Sequence, residues 1–367
     1  MNDRLTAIYC VHGDAKSIEA RARVIAVEQS VEMPVTAIDD PGVLRDIVGK
    51  VESINDRGDG SFTVRLGLAV ATTGLEVGQL MNMIFGNTSM HDDVTLEDVE
   101  FPPGMLAPFG GPRIGLAGLR TRAGAFGRAM TCSALKPQGL SSSELAAIAS
   151  RFALGGIDFI KDDHGLADQR YSPFAERVRA CAEAVANACR TTGRATRYLP
   201  SLSGNLDQLR NQIKIACDVG IDCVLIAPMI VGLPSLQALR HEFPEIAFMA
   251  HPSLSGAARF APPLLLGKLF RLFGIDATVF PNHGGRFGYT PATCLALAEQ
   301  ARTPWAGLAA CVPVPAGGMT TDRVPEMLDF YGRDVMLLIG GGLLAARERL
   351  TAETAAFQTS VEHYDYR

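Results

Sequence analysis

The chain has 367 residues, 47% of them apolar and 20% charged, with a formal net charge of −5. Its length calls for a large barrel or two domains, and its composition is that of a globular protein with a sizeable core. The acidic balance excludes a broad basic face for nucleic acid, and no apolar run reaches the roughly 18–20 residues of a membrane span. The charged start, MNDRLTAIYC, lacks the apolar stretch of a signal peptide, so the expected location is the cytoplasm. The eight cysteines, at 10, 132, 181, 189, 217, 223, 294 and 311, form no CxxC pair. Several fall inside apolar runs such as GIDCVLIAP and read as small buried hydrophobes, not disulfides or zinc ligands.

In chain order, AKSIEARARVIAVEQS has helical spacing. DGSFTVRLGLAV alternates behind an Asp-Gly turn and reads as a strand, and GLEVGQLMNMIFG reads as a second helix. These elements predict an α+β domain, ferredoxin-like in class, over residues 1–112. The Pro- and Gly-rich stretch FPPGMLAPFGGPRIGLAG marks its end. Over residues 113–367 apolar, β-branched runs alternate with helical stretches about every 25–45 residues. The strand candidates are AMTCSALK, IDFIKDD, TRYLPSL, DCVLIAPM, AFMAHPS, ATVFPN, AACVPVP and VMLLIGGG. Eight strands with intervening helices and a tail helix predict a (β/α)8 TIM barrel. The even repeat favours closure over an open doubly wound sheet.

A barrel places chemistry at the carboxyl ends of its strands. Strand one ends in Lys136 (LKPQGLS) and strand two in Lys161-Asp162-Asp163-His164 (GGIDFIKDDH). Strand five ends in His251 (MAHPS), and strand six runs into Asn282, His283 and Arg286 (NHGGRFG). Strands seven and eight end in glycines instead: Gly317 and Gly318, then Gly340, Gly341 and Gly342. Glycine lets backbone N–H groups approach an anion, and barrels place a phosphate cradle after these two strands. An Asp at a strand end is commonly a helix cap, which suits Asp162. Asp163 and His164 offer a hard oxygen and a nitrogen, a set that could receive Mg²⁺. From spacing alone the simplest pairing is Lys161 with Asp163. The other reading converts Lys161 with CO₂ into a carbamate, an anionic oxygen ligand. Lys136, if desolvated among cations, has the chemistry of a base.

In this order and at these intervals, LKPQGLS, GGIDFIKDDH, VPAGGM and LLIGGG resemble the large subunit of ribulose bisphosphate carboxylase (RuBisCO), over most of the chain. VIAVEQS is similar to the region of an active-site glutamate, here Glu28, and MNMIFGNTS to that of an active-site asparagine, here Asn87. FPNHGGRFG looks closer to the RuBisCO-like proteins than to true carboxylases. The resemblance implies that Lys161, as a carbamate, and Asp163 bind Mg²⁺, with His164 in the third ligand position. It implies that Lys136 handles protons at the substrate carbons and that His251 is an active-site histidine. Arg286 replaces the mobile sixth-loop lysine, and Gly318, Gly340 and Gly341 hold one phosphate. It also implies a homodimer in which Glu28 and Asn87 act on the partner's site.

The departures are as informative. His164 stands where the family has glutamate, and this softer ligand brings in Mn²⁺ or Zn²⁺ beside Mg²⁺. Gln138 replaces a second lysine. Pro252 and Val279 replace the arginine and histidine that hold the second phosphate. One phosphate cradle is kept and the other dismantled, and a buried phosphate without compensation would be costly. The expectation is a RuBisCO-like isomerase or lyase. With the Lys161 carbamate or Lys136 as the base, it would enolise, isomerise, decarboxylate or cleave a sugar-derived monophosphate without fixing CO₂. The rivals are an authentic carboxylase and a catalytically inactive protein that binds a phosphorylated ligand.

Overall fold

The computed structural model describes residues 3–366. Contacts divide the chain into two units, Met1–Gly111 with Leu254–Leu265, and Pro112–Ser253 with Leu266–Arg367. The stretch Leu254–Leu265 thus joins the first unit although it lies far along the sequence, which a single cut after residue 112 leaves out.

The first unit contains strands β1 (Arg4–His12), β2 (Lys50–Asp56), β3 (Ser61–Ala69) and β4 (Val94–Glu100). Their order in the sheet is β2-β3-β1-β4, all antiparallel. Helices Ile18–Glu28 and Val77–Phe85 fall after β1 and after β3, so the unit runs βαββαβ, the ferredoxin-like arrangement. The central strand β1 follows the period of two. Leu5, Ala7, Tyr9 and Val11 are fully buried. Within the same unit, residues 259–261 run beside β4, with Leu96 N–H on Arg259 O and Ala261 N–H on Leu96 O. Phe260 meets Phe85 edge-on at 5.2 Å.

Among the described residues the second unit has eight parallel strands: β5 (Met130–Leu135), β6 (Phe159–Asp162), β7 (Arg197–Leu199), β8 (Cys223–Ile226), β9 (Ala247–Ala250), β10 (Ala277–Pro281), β11 (Val312–Ala316) and β12 (Met336–Leu338). Two hydrogen-bonded arcs, β12-β5-β6-β7 and β8-β9-β10-β11, form the wall. Between β7 and β8, Leu225 N–H reaches Pro200 O and Leu202 N–H reaches Leu225 O. On the other side β11 lies beside β12, so the ring closes as predicted for a TIM barrel. The core is filled from every strand, by Met130, Phe159, Leu199, Leu225, Met249, Val279, Val314 and Leu338 among others, with Leu119 and Ala123 below. Asp276 fixes that lower end. Its carboxylate accepts the N–H groups of Ile114, Gly115 and Phe248 at 2.8–2.9 Å.

The helices between the strands start where their sequences direct. Ser141 and Glu144 form a capping box on Ser142–Leu154, and Asn205 and Gln208 do the same for Leu206–Asp218. The segment PPLLLGKLFRLFG, read as an ordinary helix, winds as a π-helix over Pro263–Leu269 before Phe270–Leu272.

Candidate active site

The period of two along a strand decides which side chains reach the barrel mouth. Phe159 of β6 and Met249 of β9 face the core. Lys161, Asp163 and His251 lie two or four residues farther on and face the same way. The register of β5 with β6 pairs Ala134 with Lys161 and Leu135 with Asp162. The next pair in line is Lys136 with Asp163, and Lys136 Nζ lies 2.9 Å from Asp163 Oδ1. His164 Nδ1 is 3.3 Å from the same oxygen. The His164 ring stacks on His251, with centroids 4.1 Å apart and planes 8° from parallel. His251 Nδ1 lies 2.7 Å from Ser253 Oγ and accepts the Ser253 N–H at 3.2 Å. Three strand ends, β5, β6 and β9, thus bring Lys136, Lys161, Asp163, His164 and His251 together.

Two expectations from spacing need correction. Asp163 pairs with Lys136, not Lys161. The Lys161 ammonium instead donates to the carbonyl of Asp162 at 2.9 Å, because its side chain follows the inner wall. Asp162 is not a helix cap. It points outward, fully buried, and accepts from Arg177 Nε at 3.1 Å, Ser201 N–H at 3.0 Å and Tyr198 OH at 2.7 Å. Alternation sends neighbouring residues to opposite faces, so Asp162 anchors the strand end that presents Lys161 and Asp163.

The electrostatics follow from burial and neighbours. Burial pushes the Lys161 pKa below the usual lysine value, and the charge of Lys136 adds to this against the pull of Cys132 and Asp163. Burial would raise the Asp163 carboxyl. Hydrogen bonds from His164 and Lys136 and the charge of Lys161 outweigh it and hold the group well below the ordinary range. His251 is lowered to about 2, mainly by burial, then by the charge of Lys161 and by His164. Its ring is therefore neutral.

Asp163 and His164 present one carboxylate and one imidazole to the same side. Among the described residues there is no cluster of three His, Cys, Asp or Glu that could hold a metal. Asp163 and His164 alone are two donors, and an anionic oxygen on Lys161 would be needed as a third for a divalent cation. The lowered pKa of Lys161 favours this, because only a neutral amine adds CO₂.

The glycine loops form a second feature. Gly317 and Gly318 have φ of 85° and 95°, conformations that favour glycine. The loop after β10 lies against them. Arg286 N–H bonds Gly317 O at 3.3 Å, and a Cβ on Gly285 would collide with that oxygen. Arg286 is exposed, and its guanidinium lies over the Phe287 ring at 5.5 Å. Gly340 and Gly341 border open space, where an added Cβ meets nothing within 4 Å. Gly342 is the tight position, with an added Cβ 3.0 Å from Met319 O. Asn282 is buried under the loop and accepts from Tyr331 OH at 2.7 Å, so it belongs to the packing. Val279 is buried in the barrel core, and Pro252 adds no charge beside His251.

In the first unit, Glu28 ends its helix and Asn87 opens the turn Asn87–Met90. Asn87 Nδ2 donates to Glu28 Oε1 and to Glu32 Oε1, each at 2.9 Å. The structure therefore joins two residues that stand far apart in sequence and adds a third, Glu32, that sequence reading missed. Ser253 and Arg177 were missed too. Arg177 left a signal, since it sits within the apolar stripe Phe174, Val178, Cys181 and Val185 of its helix. A charge there needs a buried partner.

Residues 115–285 match the family described as "Ribulose bisphosphate carboxylase large chain, catalytic domain". The chain is 62% identical over 362 residues to a Rhodospirillum rubrum protein named 5-methylthioribulose-1-phosphate isomerase, covering 98% of this chain and 97% of that one. It is 31% identical over 382 residues to the 2,3-diketo-5-methylthiopentyl-1-phosphate enolase of Geobacillus thermodenitrificans, covering 97% and 91%. The crystal structure of a Rubisco-like protein from Rhodopseudomonas palustris superposes with a TM-score of 0.93 at 53% identity, covering 99% of each chain.

Proposed function

The chain belongs to the ribulose bisphosphate carboxylase large-chain family, in its RuBisCO-like branch, and from that premise we propose that it isomerises a 5-methylthiopentulose 1-phosphate through an enediolate, without fixing CO₂. The observation that carries this reading is the one-sided provision for phosphate. Glycines at positive φ stand after β11, packed against the loop after β10, and glycines with open backbone stand after β12. On the other side Pro252 and the core residue Val279 offer no charge. A phosphate at one end and an uncharged group at the other match this asymmetry. A bisphosphate would leave one phosphate uncompensated. The relative at 62% identity, named for 5-methylthioribulose 1-phosphate, supports the methylthio sugar over the diketone of the relative at 31%.

Gly317, Gly318, Gly340 and Gly341 bind the phosphate through backbone N–H groups, and Arg286 adds a mobile charge from the neighbouring loop. Lys136 moves the proton. Its side chain is 37% exposed at the mouth and paired with Asp163, not desolvated among cations as read from the sequence, so it is open to a substrate, whereas Lys161 is 3% exposed and pinned to a carbonyl. Lys136 takes a proton from the hydroxyl-bearing carbon beside the carbonyl and returns it to the former carbonyl carbon of the enediolate, while the hydroxyl proton passes from the first carbon's oxygen to the second's. His251, neutral and stacked, faces the oxygens that become charged. A divalent cation held by Asp163, His164 and a Lys161 carbamate, Mg²⁺ or, given the imidazole, Mn²⁺ or Zn²⁺, would supply Lewis-acid polarisation of the same oxygens. Glu28 and Asn87 complete the site of a second copy in a homodimer.

The test is an isomerase assay on 5-methylthioribulose 1-phosphate, before and after dialysis against EDTA and with bicarbonate restored. Turnover that EDTA abolishes and that Lys136→Met lowers about 10²–10⁴-fold is the expected result. Fixation of labelled CO₂ on ribulose 1,5-bisphosphate would favour a carboxylase. Binding without turnover that survives Lys161→Ala would favour a ligand-binding protein.

A further inference from the structure

His251 and Ser253 stand two residues apart, and the turn between them brings two donors onto one nitrogen. The Ser253 backbone N–H points at His251 Nδ1 from 3.2 Å, and Ser253 Oγ lies 2.7 Å from the same atom. A backbone N–H can only donate. Nδ1 must therefore carry its lone pair, since a hydrogen there would face the amide hydrogen. The hydroxyl can donate to the same lone pair. A neutral imidazole has one N–H, so the hydrogen is on Nε2. The ring cannot easily turn away. His164 stacks on it with planes 8° from parallel, and the His251 backbone N–H is tied to Ile226 O of β8 at 2.8 Å. Met249 is a core residue, so His251, two positions on, faces the barrel interior.

We propose that Ser253 is a positioning residue that locks His251 as the Nε2–H tautomer, making it a neutral hydrogen-bond donor to a substrate oxygen and not a proton-abstracting base. A ring whose Nδ1 is already engaged and whose Nε2 bears the hydrogen has no free lone pair to accept a proton from carbon. Proton removal then falls to a lysine, and His251 steadies the enediolate oxygen as charge develops on it. No bond to His251 is made or broken in this role. Nothing in the sequence around MAHPSL marks Ser253 apart from its distance to His251, and the serine matters only because the turn folds it back. The catalytic consequence rests on the isomerase reading; the tautomer does not.

The full-length protein labelled with ¹⁵N-histidine reads the tautomer directly, with the His251 signals identified by their loss in His251→Asn. The wild-type ring is expected to show an unprotonated Nδ1 and a protonated Nε2. Ser253→Ala removes the shorter contact. It should move the Nδ1 resonance, admit some Nδ1–H tautomer, and lower kcat on 5-methylthioribulose 1-phosphate roughly five- to tenfold, the worth of about one hydrogen bond, with KM little changed. Ser253→Thr should restore both readouts. Hydrogen on Nδ1 in the wild type, or His251 resonances unmoved by Ser253→Ala in a folded variant, would overturn the proposal. Absence of turnover by the wild type would sink the isomerase reading alone, because the nitrogen resonances decide the tautomer without substrate.

Discussion

At the scale of residues, the site is a set of charges that burial and proximity hold away from their ordinary states. His251 is the clearest case for a pH experiment. Its pKa is held near 2 in the fold against the ordinary histidine value of 6.5. The folded protein keeps the ring neutral while the unfolded chain gains a proton as pH falls. The stabilisation is therefore full above about pH 6.5 and is lost below it. Between about pH 7 and about pH 5 this amounts to about 2 kcal/mol. Urea titrations in EDTA should show that loss in the wild type, and a shallower one in His251→Asn. Equal slopes would mean that His251 titrates normally. Part of this was legible in sequence. Lys161, Asp163, His164 and His251 could be named from strand ends alone. The Lys136–Asp163 pair could not, because it depends on the register that places Leu135 opposite Asp162. Nor could the outward anchoring of Asp162, because identical neighbours in an Asp-Asp pair differ only in the face they take.

At the scale of elements, the end of β6 is held from outside the barrel. Asp162 and Arg177 are both fully buried, and removing one partner of such a pair leaves an uncompensated charge. Arg177→Leu is expected to cost about 3–5 kcal/mol in urea unfolding. Paired with Asp162→Leu, the loss should be smaller than for Arg177→Leu alone. A neutral Arg177→Leu would show that the pair does not hold the strand. The loops after β10 and β11 make a second element-scale device. Their backbones touch so closely at Gly285 and Gly317 that a methyl group has no room. Gly285→Ala should force them apart and weaken monophosphate binding roughly tenfold, about 1.4 kcal/mol, with little change in melting temperature. Calorimetric titration checks this, and unchanged affinity would remove that loop pair from the phosphate site. The barrel strands were readable because parallel, doubly covered strands are continuous apolar runs such as DCVLIAP. In the first unit β1 went unread, since Ile8 and Cys10 blur the alternation of Leu5, Ala7, Tyr9 and Val11.

At the scale of the whole molecule, the barrel holds Lys136, Lys161, Asp163, His164 and His251, and the smaller unit holds Glu28 and Asn87. If those two residues serve a second copy, two inactive variants should repair one another. Lys161→Ala mixed with Glu28→Ala, unfolded and refolded together, should regain activity through the hybrid dimers. Persistent inactivity with hybrids demonstrably present would place Glu28 outside the site. The central claim is enolisation of a monophosphate, and proton exchange with solvent tests it most directly. 5-Methylthioribulose 1-phosphate in D₂O, with protein, Mg²⁺ and bicarbonate, should lose a proton beside its carbonyl and gain deuterium, followed by proton NMR. The exchange should vanish in Lys136→Met and be absent with ribulose 1,5-bisphosphate. A substrate that keeps all its protons under these conditions, or exchange confined to the bisphosphate, would contradict the account.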